Sequence, residues 1–257
     1  MAQETAREAA GDRPASAAVL VIGDEILSGR TQDVNTRYIA NYLAQIGVDL
    51  REARTVPDDL EAIVEALNAL RARYTYVFTT GGIGPTHDDI TADAVARAFG
   101  VEIGEDPRAI ALLRERFSEA ELNPARRRMA RIPEGAELVF NAISKAPGFW
   151  IGNVIVMAGV PMIMQNMMDV IGPRLAAGPP VLVETVEANG VPEGSYAAGL
   201  EEIARGHEGV SVGSYPSFTS GGIRNQIVLR SRDATLLARA AQAARALIAS
   251  LSKELAR

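Results

Sequence analysis

Apolar positions along the first half of the chain alternate between two patterns. Ala18-Val19-Leu20-Val21-Ile22 is a short unbroken apolar run, as expected of a strand buried on both faces. Val34, Tyr38, Ile39, Tyr42, Leu43 and Ile46 then recur at helical spacing, and Gly47 supplies a C-terminal stop. Residues 48–56 predict a second strand. Pro57 with Asp58 and Asp59 opens a helix whose buried stripe is Leu60, Ile63, Val64, Leu67 and Leu70. Residues 74–78 predict a third strand and 92–99 another helix. Strands alternating with helices in this way predict an α/β fold with a mostly parallel sheet and right-handed crossovers.

Residues 106–131 predict a charged helical stretch and 137–140 a strand. Phe149-Trp150-Ile151 and Val154-Ile155-Val156-Met157 flank Gly152-Asn153, which predicts a tight hairpin. A Met-rich helix follows Pro161 and ends near Leu175. Gly178-Pro179-Pro180 is the best linker candidate. Beyond it the pattern becomes strand (181–186), helix (195–204), two strands (210–215 and 223–229) and a long Ala-rich helix (234–255). This predicts a small α+β module suited to packing or dimerisation. The expected organisation is a disordered tail over 1–17, an α/β domain over 18–177 and the module over 181–257.

Composition narrows the function classes. A net charge of −6 argues against nucleic acid or an anionic membrane as the main partner. The absence of cysteine excludes disulfides, thiolate catalysis and Cys-ligated zinc, and suits a cytoplasmic protein. No apolar stretch reaches the roughly 20 residues of a membrane span, and the first 17 residues lack the apolar core of a signal peptide.

The densest chemistry lies in Thr79-Thr80-Gly81-Gly82-Ile83-Gly84-Pro85-Thr86-His87-Asp88-Asp89-Ile90-Thr91, between a predicted strand and helix. A glycine-rich turn there presents free backbone N–H groups to an anion, and the helix dipole adds positive potential. The glycines also suit a tight turn that needs φ above zero. Asp89 and Thr91 have competing roles as helix caps. Asp88 and Asp89 beside a phosphate make sense chiefly with a divalent cation between them. A second loop, Gly23-Asp24-Glu25-Ile26-Leu27-Ser28-Gly29-Arg30-Thr31-Gln32-Asp33-Val34-Asn35, leaves the first strand. Both loops leave the carboxyl ends of parallel strands, so they are expected to face one crevice. Hard oxygen ligands from both suit Mg²⁺, Mn²⁺ or Co²⁺.

Other residues are weaker candidates. Lys145 suits a phosphate partner or a solvated loop position, and Phe149 and Trp150 suit ring stacking or core packing. Arg126, Arg127, Arg128 and Arg131 read first as an exposed helical face and second as phosphate contacts. His87 lies in the key loop and could move a proton, whereas His207 has no motif around it.

Taken together, these motifs resemble a known family. Ile22 to Arg30 with Asp33-Val34-Asn35 is similar to the opening signature of the CinA amino-terminal domain. Thr79 to Thr91 resembles the signature this domain shares with the molybdopterin-binding proteins MogA, MoaB and MoeA. Ala146-Pro147-Gly148-Phe149 and Gly159-Val160-Pro161 match two later motifs, although Met157-Ala158 stands where the family has Leu-Pro. The resemblance implies a three-layer α/β/α molybdopterin-binding-type domain, a homodimer, and metal-dependent hydrolysis of nucleotide pyrophosphates such as ADP-ribose, FAD or coenzyme A. It also leaves open a molybdopterin or nucleotide binder in molybdenum cofactor biosynthesis, without hydrolysis. A chain of 257 residues is expected to lack the nicotinamide mononucleotide deamidase domain of longer relatives.

Residue chemistry and resemblance together assign catalysis to Asp24, Glu25, Asp88 and Asp89, with metal ligation by Asp24, Asp88 and Asp89. They assign contacts to a nucleotide or pterin phosphate to Gly23, Asn35, Gly81, Gly82, Gly84, Pro85, Thr91, Lys145 and Pro161.

Overall fold

The computed structural model describes residues 14–219 and 222–255. Two compact units divide the chain, Met1–Gly178 and Pro179–Arg257, so the boundary falls within the Gly-Pro-Pro segment expected to link them.

In the first unit the strands are β1 (Ser16–Ile22), β2 (Asp49–Val56), β3 (Tyr76–Thr80), β4 (Ile103–Glu105), β5 (Arg131–Pro133), β6 (Glu137–Val139), β7 (Gly148–Ile151) and β8 (Val154–Met157). Six of them form one sheet in the order β2-β1-β3-β8-β7-β6. The β2-β1-β3-β8 pairs are parallel and the β8-β7-β6 pairs antiparallel, which matches the mostly parallel expectation and the hairpin at Gly152-Asn153.

The unbroken apolar run of β1 follows from two-sided burial. Ala18, Leu20 and Ile22 face a core with Ile63, Leu67 and Val95, while Ala17, Val19 and Val21 face another with Ile39, Leu43 and Met168. A strand covered on both faces has no position left for a polar side chain. The helices Leu60–Arg71 and Thr91–Phe99 supply the first core, and Asn35–Gln45 and Pro161–Ile171 the second, giving three layers.

Several boundaries differ from expectation. β1 begins at Ser16, inside the segment expected as tail, because Ala17 is wholly buried; residues 1–13 lie outside the described residues. A one-turn helix, Asp24–Leu27, replaces the expected polar loop. The charged stretch after Asp106 divides into Pro107–Arg114 and Pro124–Arg128, each opened by a capping side chain, Asp106 or Asn123, and a proline at the first turn. The small β4–β5 antiparallel pair was not foreseen, since three-residue strands carry too little period to read.

The second unit is the expected α+β module. Strands β9 (Leu182–Glu187), β10 (Ser211–Thr219) and β11 (Gly222–Ser231) pair antiparallel in the order β10-β11-β9. Helices Glu193–Gly206 and Ala234–Leu255 bury Tyr196, Leu200, Ala240 and Ala244 against Ile227 and Leu229. The Tyr196 hydroxyl shares a 3.0 Å hydrogen bond with Ser214 Oγ, so a buried phenol keeps its polar partner.

Candidate functional site

The carboxyl ends of β1, β3 and β8 converge as the parallel order requires. Gly81 N donates to Met157 O at 3.3 Å, tying β3's end to β8's. Gly81 has φ of 105°, and a Cβ there would be driven into the carbonyl oxygen of Ile22. Gly82 has φ of 65°, and its Cβ would be driven into the Thr91 hydroxyl. Packing alone therefore demands both glycines; Gly81 is buried with its N–H spent on Met157, and the half-exposed backbone that follows, Gly82 to Gly84, is what the turn offers a ligand.

Thr91 takes a different role from the one expected. It is wholly buried, its hydroxyl donates to Gly81 O at 3.0 Å, and its amide donates to Gly82 O at 3.0 Å. It clips the glycine turn to the helix from inside. Neither it nor Asp89 provides the helix cap, which falls at Ile90. Asp89 instead accepts from the Thr86 amide at 2.8 Å and the Thr86 hydroxyl at 2.5 Å. This Asx-type closure holds residues 86–89, and a Cβ on Gly84 would lie 2.6 Å from the Asp89 carboxylate.

The first loop packs beside this turn. Asn35 is buried; its Nδ2 donates to Gly159 O at 2.8 Å, while Asp33 Oδ1 accepts from the Asn35 and Thr36 amides at 2.9 and 3.1 Å. A Cβ on Gly159 would lie 3.2 Å from Gly81 Cα, so Asn35 sets the Gly159-Val160-Pro161 segment against the glycine turn. Asn35 is thus a positioning residue for the expected binding loop, and its Oδ1 has no hydrogen-bond partner among the described residues. Pro161 begins the helix Pro161–Ile171 and is exposed, as are Pro85, Asp24 and Glu25.

A fourth acid completes the acidic wall. Asp58 Oδ2 accepts from the Asp24 amide at 3.0 Å. Burial raises its carboxyl above the ordinary value, and the charges of Asp24, Glu25 and Asp88 raise it further against the pull of that hydrogen bond. Asp58 therefore shares one electrostatic neighbourhood with three assigned catalytic residues. Asp88 runs the other way: hydrogen bonding to Thr86 lowers it, helped by its own backbone and by His87 and Arg128. The four acids are hard oxygen donors whose mutual repulsion a divalent cation relieves, so they fit one chemically. Among the described residues no three such side chains already stand at ligand spacing.

Sequence reasoning missed Asp58, yet a signal was present. Asp59 alone caps its helix, accepting from the Ala62 amide at 2.9 Å, so the first aspartate of Val-Pro-Asp-Asp is not spent on the helix. Lys145 corrects in the other direction. Its Nζ pairs with Glu115 at 2.6 Å and lies over the Phe140 ring, so a carboxylate already compensates its charge. His87 is almost wholly exposed, with Asp88 beside it at 3.9 Å. His207 Nδ1 bonds Ile203 O at 2.8 Å at a helix end. Phe149 is core, and Trp150 meets Tyr76 edge-on at 6.2 Å.

The comparisons agree with this architecture. Residues 18–177 match the family described as a probable molybdopterin binding domain, and residues 180–255 match the middle domain of FAD synthase. Protein TV0584 of Thermoplasma volcanium is 33% identical over 205 residues, covering 78% of this chain and 80% of that protein. A CinA-like protein of Citrifermentans bemidjiense is 45% identical over 159 residues, covering 59% of this chain but only 38% of its own length. A crystal structure of the protein CinA, of unknown function, from Thermoplasma acidophilum superposes with a TM-score of 0.60 at 33% identity, covering 63% of this chain and 98% of that one. Among the described residues no helix is long and apolar enough to cross a membrane.

Proposed function

We propose, for a chain that belongs to the CinA-like branch of the probable molybdopterin binding domain family, that the crevice binds a nucleotide pyrophosphate and hydrolyses its P–O–P bridge with a divalent metal. The observation that carries this reading is the placement of the half-exposed Gly82–Gly84 stretch of the glycine turn beside the Asp24, Glu25, Asp58 and Asp88 carboxylates. The turn suits a phosphate through backbone N–H groups. The acids would otherwise repel that phosphate, and their exposed members, Asp24, Glu25 and Asp88, are the groups that would hold the ion. A bound divalent ion supplies charge neutralisation and a more acidic water.

The chain's own residues position and exclude. Thr91 and Met157 fix the turn's backbone, and Asn35 fixes the neighbouring Gly159 segment. In the overall step water adds to one phosphorus and the bridging P–O bond breaks. ADP-ribose then yields AMP and ribose 5-phosphate. Asp58, whose carboxyl is raised by burial and by the neighbouring acids, is the wall residue most disposed to take up a proton. The match of residues 180–255 to the FAD synthase middle domain supports a dinucleotide such as FAD among the substrates.

The test is AMP release from ADP-ribose, FAD or coenzyme A by the full chain over Mg²⁺, Mn²⁺ and Co²⁺, with Asp88→Asn and Asp24→Asn alongside. Metal-dependent release reduced at least tenfold by either variant supports the hydrolase. A second reading, a pterin or nucleotide carrier, draws on the family description itself. It takes over if ligands bind and no AMP appears with any metal.

A further inference from the structure

The four clustered arginines do four different things. Arg126 donates to Glu121 O at 2.7 Å and lies 4.2 Å over the Phe117 ring. Arg127 pairs with Glu105 at 2.9 Å and Glu119 at 3.4 Å. Arg131 grips both oxygens of Asp93 at 2.7 and 2.6 Å. Like Arg126, which is spent on Glu121 O and the Phe117 ring, Arg128 has no carboxylate within ion-pair distance among the described residues. Its Nη2 donates to the carbonyl of Asp89 at 3.2 Å, and its buried Nε has no hydrogen-bond partner.

Arg128 also lines a small cleft whose other walls include Gly82, Gly84, Met129, Pro147 and Phe149. The remaining charges there are already engaged. Asp93 is neutralised by Arg131, and Asp89 is held by Thr86. What lines the cleft with Gly82 and Gly84 of the glycine turn is a guanidinium bound to one neutral carbonyl. Leaving a buried donor unpaired is costly, and a forked cation of this kind matches phosphate oxygens.

We infer that this cleft is a second anion subsite, in which Arg128 takes the phosphate that the glycine turn does not. The inference rests on the proposed placement of one phosphate on that turn. It extends that placement: a diphosphate ester is gripped at two points, a monophosphate at one. The apolar floor of Met129, Pro147 and Phe149 accepts the carbon skeleton beyond the second phosphate and offers it no competing polar contact.

The experiment compares ADP with AMP as probes, by calorimetric titration of the full chain in Mg²⁺, with the non-hydrolysable α,β-methylene analogue standing in for ADP so that no turnover intervenes. Wild-type protein is expected to bind ADP at least tenfold more tightly than AMP. Arg128→Met keeps the packing stem and removes the charge. It is expected to lose about 10- to 100-fold in ADP affinity while AMP shifts by no more than about twofold, on the strength of charged hydrogen bonds. Arg128→Lys restores the charge without the fork and is expected to recover part of the loss. Equal loss of both ligands in Arg128→Met would mark a structural role through Asp89 and overturn the inference, as would no loss at all. If wild type binds ADP and AMP equally, the second subsite falls and the glycine-turn reading stands. If it binds neither, both fall. An Arg128-dependent preference in a protein that never releases AMP would keep the subsite and discard only hydrolysis.

Discussion

Replacing Gly81 by alanine tests the packing argument at the centre of the site. At φ of 105° an L-residue is strained, at about 1–3 kcal/mol. The added Cβ would lie 3.2 Å from the Ile22 carbonyl carbon and closer still to its oxygen. That oxygen ends β1, a strand buried on both faces, so it cannot yield as a side chain would. Overpacking of this kind costs about another 1–3 kcal/mol. The sum, about 2–6 kcal/mol, is a large share of a domain's stability. For a domain of this size it lowers the melting midpoint by about 5–20 °C. Trp150 is the sole tryptophan and lies in the first unit, so its fluorescence reports that unit's unfolding without interference from the second. Gly100→Ala is the internal control: φ is 66°, but nothing stands within 4 Å of the new Cβ. It carries strain without overlap and is expected to cost only about 1 kcal/mol, the left-handed penalty. If Gly81→Ala melts no lower than Gly100→Ala, the close approach of β1 and the glycine turn is wrong.

Three further outcomes follow from the same geometry. Asn35→Ala removes the buried donor to Gly159 O and leaves that carbonyl unpaired; it is expected to cost about 1–3 kcal/mol in urea unfolding followed by Trp150, and a loss under about 0.5 kcal/mol would refute its positioning role. Lys145→Met is expected to leave AMP affinity within about twofold, because Glu115 already compensates Lys145; a tenfold loss by titration would return Lys145 to the phosphate. Asp106 caps the helix Pro107–Arg114 and is held below its ordinary 3.8 chiefly by hydrogen bonds from Arg108. A lowered folded-state value contributes stability that is full above the unfolded value and is lost as pH falls through the folded one. Asp106→Asn should therefore be less stable than wild type at neutral pH, with the gap closing on acidification below about pH 4; a gap that widens in acid-unfolding curves would contradict the sign.

Read alone, the sequence determined the alternation of elements and the loops that carry the chemistry. Both are written in local patterns: a run such as Ala18 to Ile22 can satisfy every side chain only between two apolar layers. The parallel order then follows from the crossovers, and with it the convergence of the loops after β1 and β3. The tertiary structure decided which side chains are spent on holding the loops and which are left for a ligand. Thr91 and Lys145 looked available and are engaged, by Gly81 and by Glu115. Asp58 and Arg128 looked like a helix opening and a solvated face. One joins Asp24, 34 positions away, and the other reaches Asp89, 39 positions away. Periodicity reports whether a face is buried, because burial repeats with the turn of the helix or the pleat of the strand. It carries no information on which charge meets which across a crossover, since that pairing depends on the register of packed layers and on nothing within a few residues of either partner.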